Sequence, residues 1–396
     1  MFELRPILSA LLQHKSRAIL VMLQVALTMA IVSNAVFIID ERIAFMNRDT
    51  GYAKNEIIGF RGVLLNNSVD MTAQVEVDED ILRNIPGVID AVMVSHIPIN
   101  GSGSASNWSL TAKEGRGEFP SGVFRGDEHV LTTMGLKIVE GRNFLPEEIK
   151  PSRESNDEVI IINKSLADKM FPSGDALGKT IYNQGLPAKV VGIVGVMQGS
   201  WVNWSGFNDN VILPSVNAQS FLRYMVRAEA DRRAEVMAQI EEKLLASYPD
   251  RVINRIETFE QIIENSYSSH SNMRIILSTL IVLLGFITVV GIFGLSSFSV
   301  NQRTKQIGTR RALGASKAAI CRYFMVENAL ISCMGMMFGF VLALGLNVLL
   351  VNEYGVSKMD NLYVLGTMFA IFVLSQASVL IPALRAAQIS PALATR

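Results

Sequence analysis

Four long apolar runs constrain this chain more than any other feature of its sequence. They lie at residues 18–40, 275–300, 323–351 and 362–384. Each can cross the hydrocarbon core of a bilayer as a helix, for which about 20 residues suffice. Hydrophobic residues make up 49% of the 396-residue chain, which is high for a soluble protein of this length. The sequence therefore predicts an α-helical membrane protein with four transmembrane helices.

The first run has a competing interpretation as the apolar core of a cleaved signal peptide. Such cores normally have about 7–15 residues, whereas this run is uncharged from Ala18 to Ile39. We therefore expect an uncleaved span, preceded by a short amphipathic helix at residues 1–17. Gln24 and Asn34 are polar within the span, and they either form hydrogen bonds between helices or lie near a helix end.

Charge is distributed unevenly along the chain. Residues 41–270 hold 23 Lys and Arg against 31 Asp and Glu, so that the rest of the chain is basic. Because Lys and Arg accumulate on the cytoplasmic side, we expect both ends, the loop 301–322 and the tail 385–396 in the cytoplasm. Residues 41–270 then form a large external domain and 352–361 a short outer loop. An acidic domain does not favour nucleic acid as a partner.

The loop between the second and third spans carries six cations before its first acid, Glu327. Gly314 can end a short helix over about 303–313, because glycine adopts the left-handed conformation that follows a helix end. Ser316 can then cap the next helix. This pattern predicts a short basic helix in the cytoplasm, rigidly joined to the third span. A simple topology anchor with no further role remains an alternative. The six cations are Arg303, Lys305, Arg310, Arg311, Lys317 and Arg322.

Small and acidic residues inside the spans are candidates for helix contacts. Gly335 and Gly339 lie on one face of the third span, and Gly291 and Gly294 allow close approach to the second. Packing within the chain and contact with a second chain are both open for these glycines. For Glu327, the intramembrane acid, we expect a salt bridge or an interface hydrogen bond rather than proton transport.

The cytoplasmic loop resembles the signature of FtsX/MacB-type permeases, the membrane subunits of type VII (mechanotransmission) ABC transporters. The string Arg303-Thr304-Lys305-Gln306-Ile307-Gly308 is followed by Arg310-Arg311-Ala312-Leu313-Gly314-Ala315. The family often has glutamate where Asn301 and Gln306 stand here. The resemblance implies that the short helix is a coupling helix that docks on an ATPase. The implied coupling residues are Arg303, Lys305, Ile307, Arg310, Arg311, Leu313 and Gly314.

The external segment is similar to the MacB-type periplasmic core domain, through a succession of short motifs. They include Glu140-Gly141-Arg142-Asn143-Phe144, Leu177-Gly178-Lys179-Thr180-Ile181 and Val190-Val191-Gly192-Ile193-Val194-Gly195. The resemblance implies a large α/β extracytoplasmic domain with a porter subdomain and a β-rich sabre subdomain at about 110–215.

Local patterns add detail to the external domain. We expect a short helix from Asp78 to Ile85, a strand over Val88–Pro98 and a loop over residues 101–106. The strand Phe221–Arg227 and the amphipathic helix Arg233–Tyr248 then close the porter. That helix places Val236, Ile240 and Leu244 on one face.

No catalytic, cofactor or metal site is expected on this chain. Ser173 to Thr180 nearly matches a phosphate-binding loop, but Ser173 stands where glycine is required, and a turn into a strand at Thr180–Tyr182 is expected instead. The histidines (His14, His96, His129 and His270) have no metal-ligand spacing. We therefore expect ATP and Mg²⁺ to be bound by an ATPase on another polypeptide.

The resemblance implies a permease subunit in a bacterial inner membrane, paired with two ATPase copies and a second permease chain, identical or different. Its cargo would be a peptide, antibiotic, toxin or lipid-linked molecule, with a periplasmic adaptor and an outer-membrane channel as possible partners. Two alternatives remain open. One is an FtsX-like signalling subunit that activates a cell-wall hydrolase without transport. The other is a four-span receptor with an external sensing domain.

Overall fold

The computed structural model describes residues 15–66, 70–112, 117–151, 157–216, 218 and 221–390. The chain divides into two compact units, which we call the helical unit (Met1–Asn47 with His270–Arg396) and the α/β unit (Arg48–Ser269). The predicted amphipathic helix lies outside the described residues up to position 14, and residues 15–17 belong to the first long helix. The end of the predicted tail, 391–396, also lies outside the described residues.

The described elements follow one another along the chain. They are α1 (Lys15–Met46), β1 (Ile57–Leu64), α2 (Met71–Arg83), β2 (Val88–Met93), β3 (Ser104–Ser109), β4 (Phe119–Gly126), α3 (Val130–Met134), β5 (Ile138–Gly141), a 3₁₀ turn (Pro146–Glu148), β6 (Val159–Asn163), α4 (Lys164–Met170), β7 (Thr180–Asn183), β8 (Leu186–Val194), β9 (Asn210–Pro214), β10 (Phe221–Ala228), α5 (Arg233–Ser247), β11 (Arg251–Thr258), α6 (Phe259–Ser266), α7 (Ser268–Gln302), α8 (Thr304–Ala312), α9 (Lys317–Tyr354) and α10 (Asn361–Ala387).

Four helices of the helical unit, α1, α7, α9 and α10, are long and apolar enough to cross a membrane. Their caps follow the local signals in the sequence. Gly314 has a φ of +94° after α8, and the Ser316 hydroxyl accepts a hydrogen bond from the Ala319 N–H at the start of α9. Pro382 lies inside α10, which continues to Ala387. Transmembrane helices tolerate proline when neighbouring groups satisfy the freed backbone.

Burial differs strongly among these four helices. In the most apolar 18-residue window, 56% of α1 but 11% of α7 is buried within the chain. Val25 and Met29 of α1 are fully buried, and α1 packs chiefly against α9, which in turn packs against α10. Helix α1 is therefore the centre of the helical unit, whereas α7 presents most of its apolar surface outward.

The α/β unit contains an antiparallel four-stranded sheet in the order β11-β1-β10-β2. Helices α2 and α5 bury their apolar faces in the core of this subdomain, and Val236, Ile240 and Leu244 of α5 are fully buried, as predicted. Helix α2 begins earlier than the predicted Asp78. The Asp70 carboxylate accepts hydrogen bonds from two N–H groups of its first turn, which fixes the helix start at Met71.

The second sheet has seven strands in the order β5-β8-β6-β9-β4-β3-β7. Because β7 also pairs with β8, the strands β8, β6, β9, β4, β3 and β7 close into a ring. Strand β5 pairs with the C-terminal part of β8, beyond the part that pairs with β7. The expected loop at 101–106 is wrong in its second half, since β3 begins at Ser104 and pairs with β4. The near phosphate-binding loop is a turn that leads into β7, as predicted.

Candidate functional site

The short helix α8 divides the predicted coupling residues into two sets. Lys305 and Arg310 are exposed, and Leu313, which follows the helix, is 83% exposed. Ile307 instead is buried, at 4% exposure, in the core of the helical unit. The exposed side of α8 is therefore basic and ends in an apolar side chain, whereas its inner side packs into the core of the helical unit.

The predicted coupling residue Arg303 does not face solvent. It lies between α7 and α8, and its Nη1 donates to both carboxylate oxygens of Glu327, at 3.2 and 3.0 Å. Arg17, in the first turn of α1, donates from Nη2 to the same carboxylate at 2.6 Å. Only 2% of the Glu327 side chain is exposed, so this acid is paired within the membrane-spanning bundle.

The salt bridge expected for Glu327 is confirmed, but the sequence pointed to neither partner by spacing. Arg17 precedes Glu327 by 310 residues along the chain. The available signal was the position of Arg17 at the edge of the first apolar run, where a cation can pair with an acid at the same depth of a neighbouring span. We call Arg17, Glu327 and Arg303 the charged triad.

Two further arginines among the predicted coupling residues hold the turn between α8 and α9. Arg310 lies over the ring of Tyr323, with 4.8 Å from its guanidinium carbon to the ring centroid. Arg311 is half-buried and donates from Nη1 to the Ala315 carbonyl at 3.3 Å. These contacts fix the angle between the short helix and the third span.

The predicted glycines of α9 contact the first helix of the same chain. A Cβ on Gly335 would lie 2.8 Å from the backbone oxygen of Met22. On Gly339 it would lie 3.0 Å from the backbone oxygen of Ala26. Both glycines therefore serve close packing within the chain.

The predicted glycines of α7 differ from each other. A Cβ on Gly291 would lie 2.5 Å from Gln24, whose amide already donates to the Ile287 carbonyl. A Cβ on Gly294 would have no atom within 4 Å among the described residues. Gly294 is thus available on the outward face of α7 for contact outside the described chain.

Polar side chains of α1 bond to the neighbouring helices. Thr28 and Thr288 share a hydrogen bond of 2.9 Å, and the Asn34 amide donates to the Ala343 carbonyl at 3.0 Å. With the Gln24 bond, these contacts confirm that the polar residues of the first span join helices.

A second charged cluster lies in the α/β unit, where α2 and β2 meet the loop after β4. Arg83 lies 3.0 Å from Glu79 and 3.5 Å from Asp127, and His129 lies 2.9 Å from Asp90. Burial, reinforced by the nearby Asp127, raises the pKa of Glu79 to about 9. Burial also raises the pKa of Asp127. Glu79 therefore carries its proton near neutral pH.

No group of three His, Cys, Asp or Glu side chains that could hold a metal ion occurs among the described residues. The predicted absence of catalytic and cofactor residues stays a prediction.

Four membrane-spanning helices with a large α/β domain define a membrane protein with an extracytoplasmic domain. Residues 19–243 match the family model of the MacB-like periplasmic core domain, and residues 278–391 match that of the FtsX-like permease C-terminal domain. The chain therefore belongs to the family of MacB/FtsX-type permeases.

Two similar curated proteins are macrolide exporters by name. The macrolide export ATP-binding/permease protein MacB of Neisseria gonorrhoeae is 24% identical over 83% of this chain and 50% of its own length. The macrolide export ATP-binding/permease protein MacB 2 of Yersinia pestis is 27% identical over 72% of this chain and 42% of its own length. The chain thus spans about half the length of the curated relatives it matches.

Two solved structures are also similar. The periplasmic region of MacB from Actinobacillus actinomycetemcomitans covers 54% of this chain at 17% identity, with a TM-score of 0.35. The extracellular domain of the noncanonic ABC-type transporter YknZ from Gram-positive bacteria covers 50% at 16% identity, with a TM-score of 0.32.

Proposed function

We propose that this chain is the permease subunit of an ABC transporter, and that it couples ATP hydrolysis on a separate ATPase to movement of its α/β unit. The observation that carries the proposal is the construction of α8. Its outward surface presents Lys305, Arg310 and Leu313, while its inner residues Arg303 and Ile307 join it to the spans. A force applied to the outward surface reaches the membrane helices through those inner contacts.

Two ATPase copies with bound ATP and Mg²⁺ would act on a pair of permease chains in this scheme. Ser173 to Thr180 forms a largely exposed turn rather than a cradle after a buried strand, which argues against this segment as the site of ATP binding. The second permease chain would meet the outward face of α7, which carries Gly294 and has few buried residues.

We further propose that the protein lies in the inner membrane with both termini in the cytoplasm. The acidic residues 41–270 connect the first and second spans, and the basic segment from Arg303 to Arg322 connects the second and third, so the two segments lie on opposite sides of the membrane. The cytoplasmic excess of Lys and Arg in membrane proteins supports this orientation.

The proposed transport step is export of a peptide, antibiotic, toxin or lipid-linked molecule. The named relatives support an export role, since both are macrolide export proteins. A periplasmic adaptor and an outer-membrane channel would complete such a pathway.

The docking assignment can be tested with Lys305→Glu combined with Leu313→Glu. Both residues are exposed, whereas Arg310 and Arg311 hold the turn after α8, so the pair changes the surface and leaves the contacts of that turn in place. Loss of an apolar contact and reversal of a charge should weaken ATPase association at least about tenfold. Co-purification from membranes measures this.

The matched control is Leu65→Glu, at a leucine of the α/β unit that is 65% exposed. It should co-purify the same amount of ATPase as the wild type. Unchanged co-purification by the α8 variant, at equal membrane insertion, would refute the docking surface.

A further inference from the structure

The charged triad has a geometry that a topology anchor does not need. Glu327 is on α9, Arg17 is on α1 and Arg303 is at the junction of α7 and α8. One carboxylate therefore joins α9 to α1 and to the junction of α7 and α8, and the second of these contacts lies at the base of the coupling helix.

Burial makes the triad a stiff connection. The side chains of Glu327, Arg303 and Arg17 are 2%, 8% and 16% exposed. Buried ion pairs are weakly screened by water and salt, and separating one leaves an uncompensated charge in a medium of low polarity. A displacement of Arg303 is therefore expected to move Glu327 and Arg17 with it rather than to break the contacts.

The triad has two cations and one acid, so that Glu327 is its single counter-charge. Arg303 Nη2 is buried and has no hydrogen-bond partner among the described residues. Removal of the carboxylate would place two buried guanidinium groups next to each other. The arrangement thus depends on Glu327 more than on either arginine.

The path from the triad leads along α1. This helix continues without a break from Lys15 to Met46, and the chain enters the α/β unit at Arg48. Gly335 and Gly339 of α9 contact α1 closely at Met22 and Ala26, which follow Arg17 along the helix. Helices α1 and α9 are therefore held together over several turns.

We propose that Glu327 is the positioning residue through which displacement of the coupling helix is passed to α1 and from there to the α/β unit. This inference rests on the proposed function. It makes the triad the mechanical connection of the transporter, distinct from the outward surface of α8 that binds the ATPase.

The test uses the charge-balanced variant Arg17→Gln with Glu327→Gln in the full chain. It removes one cation and one acid, so the net charge of the triad is unchanged and Arg303 alone remains. Glu327→Gln by itself leaves two buried cations, and we expect it to reduce assembly. The matched control is Lys15→Gln with Glu353→Gln, which makes similar changes at exposed positions of α1 and α9.

Movement is measured in the complex with its ATPase by double electron–electron resonance. Spin labels are placed at Ser247→Cys in the α/β unit and Lys358→Cys in the outer loop, both exposed, after replacement of Cys321 and Cys333 by alanine. Distances are recorded without nucleotide and with ATP.

We expect the charge-balanced variant to bind the ATPase and hydrolyse ATP like the control. The fraction of the charge-balanced variant that changes its label-to-label distance on ATP binding should be at least about fivefold smaller than in the control. An unchanged ATP-dependent shift would overturn the proposal while leaving the proposed function intact. If the wild-type chain binds no ATPase, the proposed function fails, and this inference fails with it. Failure of the charge-balanced variant to assemble, where the control assembles, would also overturn the proposal, because the triad would then be needed for folding itself.

Discussion

Addition of one methyl group at Gly335 should destabilise the helical unit, whereas the same change further along α9 should not. A Cβ at this position would lie 2.8 Å from the Met22 backbone oxygen and 3.1 Å from Val25 Cβ. The backbone of α1 cannot rotate away as a flexible side chain can. The two helices must therefore separate by a few tenths of an ångström, which weakens the contacts along their shared face.

The magnitude follows from a comparison within one helix. Overpacking of a close contact costs about 1–3 kcal/mol, while Gly→Ala gains at most about 1 kcal/mol of helix propensity. Gly345, also in α9, is exposed and its Cβ would have no described atom within 4 Å. Gly345→Ala shares the propensity gain without the clash. The difference between the two variants should therefore be about 1–3 kcal/mol.

Reversible unfolding of the full chain in mixed micelles, followed by circular dichroism, measures this difference. Gly339→Ala should behave like Gly335→Ala, since its Cβ would lie 3.0 Å from the Ala26 oxygen. Equal stability of Gly335→Ala and Gly345→Ala would refute the packing of α9 on α1.

Two further predictions concern the cluster around Glu79 and the outward face of α7. Glu79 keeps its proton in the folded chain up to about pH 9, whereas its usual pKa is 4.5. The contribution of Glu79 to the free energy of unfolding is therefore full below the usual pKa. It falls as the pH rises toward 9, by at most about 1.4 kcal/mol per pH unit. Glu79→Gln should flatten the pH dependence of thermal unfolding between pH 5 and 9, and an unchanged slope would contradict the assignment. Gly294→Leu should weaken association with a second permease chain in cross-linking, because its outward position has no described neighbour. Gly345→Leu is the control, and equal cross-linking of both variants would exclude this contact.

Local features of the fold could be predicted where the cause is local. The spans follow from length and hydropathy, and the end of α8 and the start of α9 follow from Gly314 and Ser316. The early start of α2 was missed although Asp70 is a standard cap. Ser104 was assigned to a loop because its neighbourhood is rich in glycine and serine. Pairing of β3 with β4 outweighs that local preference.

The site was predictable in part. The sequence identified Arg303 and Glu327 separately, as a coupling residue and as an intramembrane acid, but not their contact. Arg17 was missed because its role depends on how α1 packs against α9, which no spacing in the sequence encodes. The role of Gly335 depends on the same packing.

Isolation of the full chain from its native membrane in a mild detergent, with mass spectrometry of the proteins that accompany it, tests the central claim most directly. The account predicts an ATP-binding-cassette ATPase in the preparation, and an adaptor protein beside it would support export. A cell-wall hydrolase in place of the adaptor would favour the signalling role. Absence of any such ATPase, under conditions that preserve a known ABC complex, would contradict the account and favour a receptor.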